Sequence, residues 1–280
     1  MHTLIEWLPR ALALAAAGCV AGLINTLASS GSAISLPVLM FLGLPPLAAN
    51  ATNRLSVLLG SLMALRKFQA EKVLDWGAAR RMLLPAVLGS TIGVVAAELL
   101  PGRDMALVIT AALMMALLLL FTKVKAILAR PQTPPSEVSF VGLVGLFGAS
   151  VWLGFIVLDG NTYLLLVLMG LMHFDLPRAN ALKVLLLVVS SVVPVAMFCW
   201  SGSIWWTDGL ILSAGSLAGG HCGAKLSLYE NAYRWVFRLL VLAISLEVIH
   251  LGISYIAPFH PATTGGVHPY TVPTGQARSG

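Results

Sequence analysis

Apolar residues gather along this chain into runs of about 20 with few charges, the length that crosses a hydrocarbon core of about 30 Å. Such runs fall near residues 8–28, 49–65, 82–100, 105–122, 138–157, 179–200, 209–226 and 236–257. Two shorter runs, near 33–44 and 162–172, fall below a full crossing and suit re-entrant or broken helices. Each follows a long run after a polar break: Ala28-Ser29-Ser30-Gly31-Ser32 in the first half, Leu158-Asp159-Gly160-Asn161-Thr162 in the second. The pattern predicts an all-α integral membrane protein with eight full spans and two half-length helices.

The second half reads like the first. Ala49-Asn50-Ala51 returns as Ala179-Asn180-Ala181, Ser61 as Ser191, Trp76 as Trp206, Gly89 as Gly219 and Gly93 as Gly223, all 130 residues on. Gly43-Leu44 returns as Gly170-Leu171, three residues short of that spacing. Five segments per half is an odd number, so the second half is expected to enter the bilayer from the opposite face, as an inverted repeat. Two such halves building one central site are the mark of a secondary transporter. The expected organisation is a first transmembrane repeat at 1–122, a Pro-rich linker at 123–137, a second repeat at 138–257 and a disordered Pro, Gly and Thr-rich tail at 258–280.

Composition supports the membrane reading. Of 280 residues, 58% are hydrophobic and 10% charged, and the mean hydropathy is +0.91, more apolar surface than a soluble core of this size can bury. Charge then orients the chain, because Lys and Arg collect in cytoplasmic loops. With loop 66–81 inside, Arg66, Lys67, Lys72, Arg80, Arg81, Lys123, Lys125, Arg130, Arg178, Lys225, Arg234 and Arg238 are all inside, and Arg10, Arg103 and Arg278 outside. That bias holds if each short helix is the returning half of a hairpin, and it puts both termini outside the cytoplasm. The net charge of +6 is explained by it and calls for no nucleic-acid partner.

Two features are set aside. Arg10 and the apolar run up to Cys19 imitate a lipoprotein signal, but Ala16 stands where such sites favour Leu and the apolar run continues past the cysteine to Ala28. Cys19, Cys199 and Cys222 lie in or beside spans, without metal-ligand spacing, and read as packing residues.

Candidate chemistry lies in the polar groups that a bilayer would exclude. Asn50, Asn53, Arg54 and Ser61 share one helical face, and Asn180, Lys183 and Ser191 repeat the pattern. The breaks add Asn25, Ser29, Ser30, Gly31, Ser32, Asp159, Gly160, Asn161 and Thr162. Short helices beginning at Ser32 and Thr162 would point N-terminal amides at the membrane interior, and with Arg54 and Lys183 they form a candidate anion site. Asp159 opposes this, and can cap the short helix, pair with Lys183 or Arg54, or take up a proton. Arg54 and Lys183 can instead snorkel to the headgroups, and Asn50 and Asn180 can be helix caps alone. Glu247 and His250 form a proton relay or a packing pair. Gly89, Gly93, Gly215, Gly219 and Gly223 read as sites of close helix packing.

The stretch Gly22 to Ala28, the Gly/Ser break, Leu36-Pro37, Leu42-Gly43-Leu44-Pro45-Pro46 and Ala49-Asn50-Ala51-Thr52-Asn53-Arg54 resembles the first repeat of the sulfite exporter TauE/SafE family of membrane transporters. Asp175-Leu176, Arg178-Ala179-Asn180-Ala181-Leu182-Lys183 and Gly219 to Leu226 are similar to its second repeat, so the resemblance spans about residues 10 to 255. It implies export or uptake of small sulfur-containing or organic anions, such as sulfite, sulfonates or sulfoacetate, across a bacterial inner membrane, with no bound cofactor. The chain departs from the family where the first break, usually a run of glycines, carries Ser29, Ser30 and Ser32.

The reading is a secondary transporter working by alternating access, with a small anion and the lipid bilayer as its partners. A passive anion channel is the alternative, although no long polar stripe is present to line an open pore. An intramembrane enzyme would need a base or metal cluster near Ser29, Ser30 or Ser32, and no histidine stands in an evident relation to them.

Overall fold

The structure, a computed structural model, describes residues 2–27, 31–101, 138–156 and 160–229, with side chains from Trp7 onward. The runs expected at 105–122 and 236–257, the linker, the tail, and Ser29, Ser30, Asp159, Glu247 and His250 lie outside the described residues.

Among the described residues there are eight helices and no strand: α1 (His2–Leu27), α2 (Ser32–Phe41), α3 (Pro46–Ala70), α4 (Trp76–Leu99), α5 (Phe140–Phe155), α6 (Gly160–Leu171), α7 (Leu176–Trp200) and α8 (Trp206–Ser227). Each apolar run expected in these residues is a helix. The long helices α1, α3, α4, α7 and α8 overrun their apolar runs at polar ends, because the run marks what faces lipid while the helix continues as long as its capping allows; α5 stops inside its run and α2 ends short of its own. α3 starts at Pro46, suited to a first turn that needs no N–H, and continues past residue 65 through Arg66 and Lys67. α4 begins at Trp76, six residues before its apolar run, where the Asp75 carboxylate accepts from the Ala78 N–H at 3.0 Å. α6 departs from a simple half-helix: it opens at Gly160, two residues before the expected Thr162, and winds into a π-helical turn over Leu166–Leu171.

The connecting turns recur 130 residues apart. Gly43 and His173 both take positive φ, at 95° and 60°, as do Lys72 and Gly202, at 57° and 70°. The turn hydrogen bonds repeat too: Val73 N–H to Phe68 O and Ser203 N–H to Phe198 O, at 3.2 and 3.1 Å. His173, not Gly170, is therefore the counterpart of Gly43, and the three-residue shortfall seen in the sequence was a chance identity of Gly-Leu pairs.

Both short helices fold back on the long helix before them. Arg10 near the start of α1 donates from Nη1 to Leu42 O just beyond α2, at 3.2 Å. In the other hairpin, Trp152 of α5 meets Tyr163 of α6 edge-to-face at 5.9 Å, and Gly142 at the start of α5 lies against Met172 at the end of α6. At 10 residues, or about 15 Å, α2 covers half a hydrocarbon core.

Packing crosses between the halves. α1 runs along α8 and α4 along α5, while α3 and α7 pack on each other at the centre. The crossed pairs touch backbone to backbone. A Cβ on Gly89 would meet Phe147 O and one on Gly93 would land on Val151 O, while in the other pair Gly219 and Gly223 face Cys19 O and Leu23 O in the same way. These are the close contacts that small residues permit in membrane helix pairs. The largest apolar cluster gathers Phe68, Met82, Leu146, Leu153, Leu168 and Leu186 from α3 to α7.

Outside, Leu84, Leu88, Ile92, Val95 and Leu99 form an exposed stripe at helical spacing on α4, with Trp76 at its start and Trp200, Trp205 and Trp206 at the ends of α7 and α8. An apolar face with tryptophans at helix ends fits lipid rather than water. Among the described residues, three helices, at Trp7–Leu27, Trp76–Leu99 and Leu176–Trp200, are long and apolar enough to cross a membrane. α3 and α8 are as long, but polar side chains interrupt them, and in α3 these are the buried residues of the site.

Candidate functional site

Helix α5 ends at Phe155 and the described part of α1 at Leu27, and the last carbonyls of a helix lack partners within it. A carbonyl buried unpaired costs about 1–3 kcal/mol, so each end needs a donor. The donor comes from the opposite half in both cases. Arg54 of α3 reaches α5 and donates from Nη1 to Leu153 O at 2.7 Å and from Nη2 to Gly154 O at 2.6 Å. Asn50, one turn earlier, donates to Phe155 O at 3.3 Å. Lys183 of α7 reaches α1 and donates to Thr26 O at 3.1 Å.

Both cations are wholly buried, at 0% exposure, so neither snorkels to a headgroup. Asn50 is not the cap of its own helix, since α3 begins four residues before it; it serves the end of α5 instead. Among the described residues no carboxylate pairs with Arg54, whose charge is met by the negative end of a helix dipole and by the Phe198 ring, 5.6 Å away.

The polar breaks are tied together in the same region. Asn25, in the last turn of α1, accepts from the Gly31 N–H at 3.0 Å and from Asn161 Nδ2 at 3.3 Å, which joins the start of α2 to the start of α6. Asn53 donates to Ser32 Oγ at 3.1 Å and accepts from Ser35 Oγ at 2.6 Å, fixing the first turn of α2 to α3. Gly160, Asn161 and Thr162 are buried at the start of α6, with Gly160 packed against Leu153. Asn180 is buried on α7, and Ser61 and Ser191 are buried further along their helices. Of the residues singled out from sequence, the structure thus brings Asn25, Gly31, Ser32, Asn53 and Asn161 into joined hydrogen bonds and sets Asn50, Arg54 and Lys183 on the broken ends beside them.

Two contacts carried little sequence signal. Arg10 and Asp208 form a two-bonded ion pair, Nε to Oδ1 at 3.1 Å and Nη2 to Oδ2 at 2.5 Å, linking α1 to α8. Close by in sequence, the Trp205 N–H donates to Thr52 Oγ1 at 3.0 Å, linking α8 to α3. The only trace of the ion pair was that both charges fall near the ends of apolar runs. Elsewhere, a groove of about 360 Å³ between α5 and α6 is lined by Gly145, Gly148, Ala149, Trp152, Tyr163, Leu166 and Val167. It offers no charged group and does not compete as an anion site.

The sulfite exporter TauE/SafE family model matches residues 14–248, a range that takes in both broken helices and both cations. The chain belongs to the TauE/SafE family. It is 30% identical over 224 residues to a protein named probable membrane transporter protein from Haemophilus influenzae, a match covering 76% of this chain and 84% of that one. It is 26% identical to a probable membrane transporter protein, ORF9, from Sinorhizobium sp, covering 88% and 92%. The probable membrane transporter protein YfcA of Escherichia coli K12 is 25% identical, covering 76% and 78%. No solved structure matches the chain. With the exposed apolar faces, membership of TauE/SafE makes this a multi-pass membrane transporter; its TauE/SafE relatives are named as transporters and not as enzymes.

Proposed function

We propose that this protein carries a small sulfur-containing or organic anion, such as sulfite, a sulfonate or sulfoacetate, across a bacterial inner membrane by alternating access. The observation that supports an anion most is Arg54, a wholly buried guanidinium bonded to neutral carbonyls, with no carboxylate among the described residues to balance it. A buried charge of this kind is costly, and an anion beside it recovers part of that cost. Lys183 adds a second buried cation from the other half.

In this reading the two halves are inverted repeats, and their ten segments thread the bilayer with both termini outside the cytoplasm. The site lies where the broken helices meet, among Asn25, Gly31, Ser32, Asn50, Asn53, Arg54, Asn161, Thr162, Asn180 and Lys183, with Ser29, Ser30 and Asp159 in the breaks. The crossed bonds from Arg54 to α5 and from Lys183 to α1 couple the halves, so that a rocking motion of one half carries the other half's broken helix with it.

Uptake of labelled sulfite and of labelled methanesulfonate into liposomes tests the proposal. The wild type should show saturable uptake of at least one of them, and the double variant Arg54→Ala, Lys183→Ala should lose it by more than about 100-fold, as expected when two charge-assisted contacts are removed. Unchanged flux in the double variant contradicts the site, and flux proportional to concentration without saturation contradicts a carrier.

A further inference from the structure

Each half sends donors to the other half's broken helix, and one bond expected from the repeat is missing. The glycine contacts align Phe147 with Cys19 and Val151 with Leu23, a spacing of 128 between α1 and α5. By that register Gly154 corresponds to Thr26 and Phe155 to Leu27. Arg54 to Gly154 O and Lys183 to Thr26 O then reach equivalent carbonyls, although at the 130-residue spacing Lys183 stands opposite Asn53 and Arg54 opposite Val184. Asn50 to Phe155 O should likewise reappear as Asn180 to Leu27 O, and it does not.

Asn180 is wholly buried, at 0% exposure, and among the described residues neither its Nδ2 nor its Oδ1 has a hydrogen-bond partner. Its neighbours in the site are engaged. Asn53 uses both ends of its amide on Ser32 and Ser35, Asn25 accepts two bonds, and Asn50 donates to α5. Two further unpaired atoms lie on α3, which packs on α7: Nε of Arg54, a donor, and Oδ1 of Asn50, an acceptor. A buried amide left open at both ends costs about 2–6 kcal/mol, taking about 1–3 for each unpaired group, and a packed core retains such a group when something outside the chain completes it.

We propose that Asn180 is a direct ligand of the transported oxyanion, donating from its amide nitrogen to an anion oxygen, while Asn50, its counterpart, has the structural task of holding the end of α5. The pseudo-symmetric pair is thus divided: one amide fixes a helix, the other reads the substrate. This inference rests on the proposed transport of small anions and assigns one contact within that site.

The test is Asn180→Leu, which removes the polar atoms while keeping a branched side chain of four heavy atoms. Because the amide bonds nothing among the described residues, the variant should be at least as thermally stable as the wild type, yet its KM for labelled sulfite in liposomes should rise about 10-fold or more. Asn50→Leu should instead lower the melting temperature, since it strips the donor from Phe155 O. If Asn180→Leu does not fold, Asn180→Ala carries the same KM comparison. A wild type that moves anions and an Asn180 variant with unchanged KM overturn this inference alone. A wild type that moves no labelled anion overturns the transport proposal and this inference with it.

Discussion

The end of α1 and the end of α5 present the same physical difficulty, a helix stopped inside the protein with its last carbonyls facing no water, and the opposite half solves it with different side chains. At α5 the donors are a guanidinium and an amide, making three bonds. At α1 a single ammonium donates to Thr26 O, and the amide beside it, Asn180, bonds nothing among the described residues. What both halves share is required by the fold, because a broken helix needs its end satisfied in either. What they do not share is free to serve a substrate.

The largest effect should come from breaking the crossed packing that both halves depend on. Gly93→Val puts a Cβ onto Val151 O, and Gly219→Val puts one onto Cys19 O, so each drives backbones apart. Each variant should lose more than about 3 kcal/mol and leave little folded protein by size-exclusion chromatography in detergent. Tolerance of one and not the other would show that the two helix pairs are not equivalent.

A smaller effect sharpens the contrast between the two cations. Arg54→Lys gives the first half the chemistry of the second, keeping the charge while a single ammonium replaces a fork that spans two carbonyls. One carbonyl of α5 is left without its partner, so thermal unfolding should show a loss of about 1–3 kcal/mol. No loss would mean that the carbonyl finds another donor and that the fork is dispensable.

The smallest effect concerns an ion pair present in one half only. Asp208 is nearly buried and Arg10 about a quarter exposed, and the equivalent of Asp208 130 residues earlier is Ala78, whose N–H is capped by Asp75. Asp208→Asn removes a charged partner in a partly solvated place, for which a loss of about 1 kcal/mol in thermal unfolding is expected. A loss as large as that of Arg54→Lys would rank this pair with the buried cations.

The helices, their order and the two breaks were legible in the sequence because bilayer physics writes them as run lengths and small polar residues. The glycines of the crossed pairs were legible for a similar reason, since few other residues allow backbones to touch. The burial of Arg54 and Lys183 followed from their place within apolar runs, but their partners did not. Those partners are backbone carbonyls, which every residue carries and no sequence pattern marks. The same reason hid the true service of Asn50, which caps a helix more than 100 residues away instead of its own. The turn at His173 was obscured because a glycine three residues earlier imitated the first half, whereas the backbone placed an ordinary side chain in the left-handed conformation. The π-helical turn in α6 left no periodic trace in an apolar run that reads the same in either winding.

Counterflow is the most direct measurement of the central claim, that two crossed broken helices enclose one carried anion. Liposomes holding the full chain are loaded with unlabelled sulfite, diluted into a trace of labelled sulfite, and sampled over time. The account predicts a transient accumulation of label above its equilibrium level, suppressed when the outside concentration saturates the carrier. Label that only rises to equilibrium, at a rate proportional to its concentration, would contradict it.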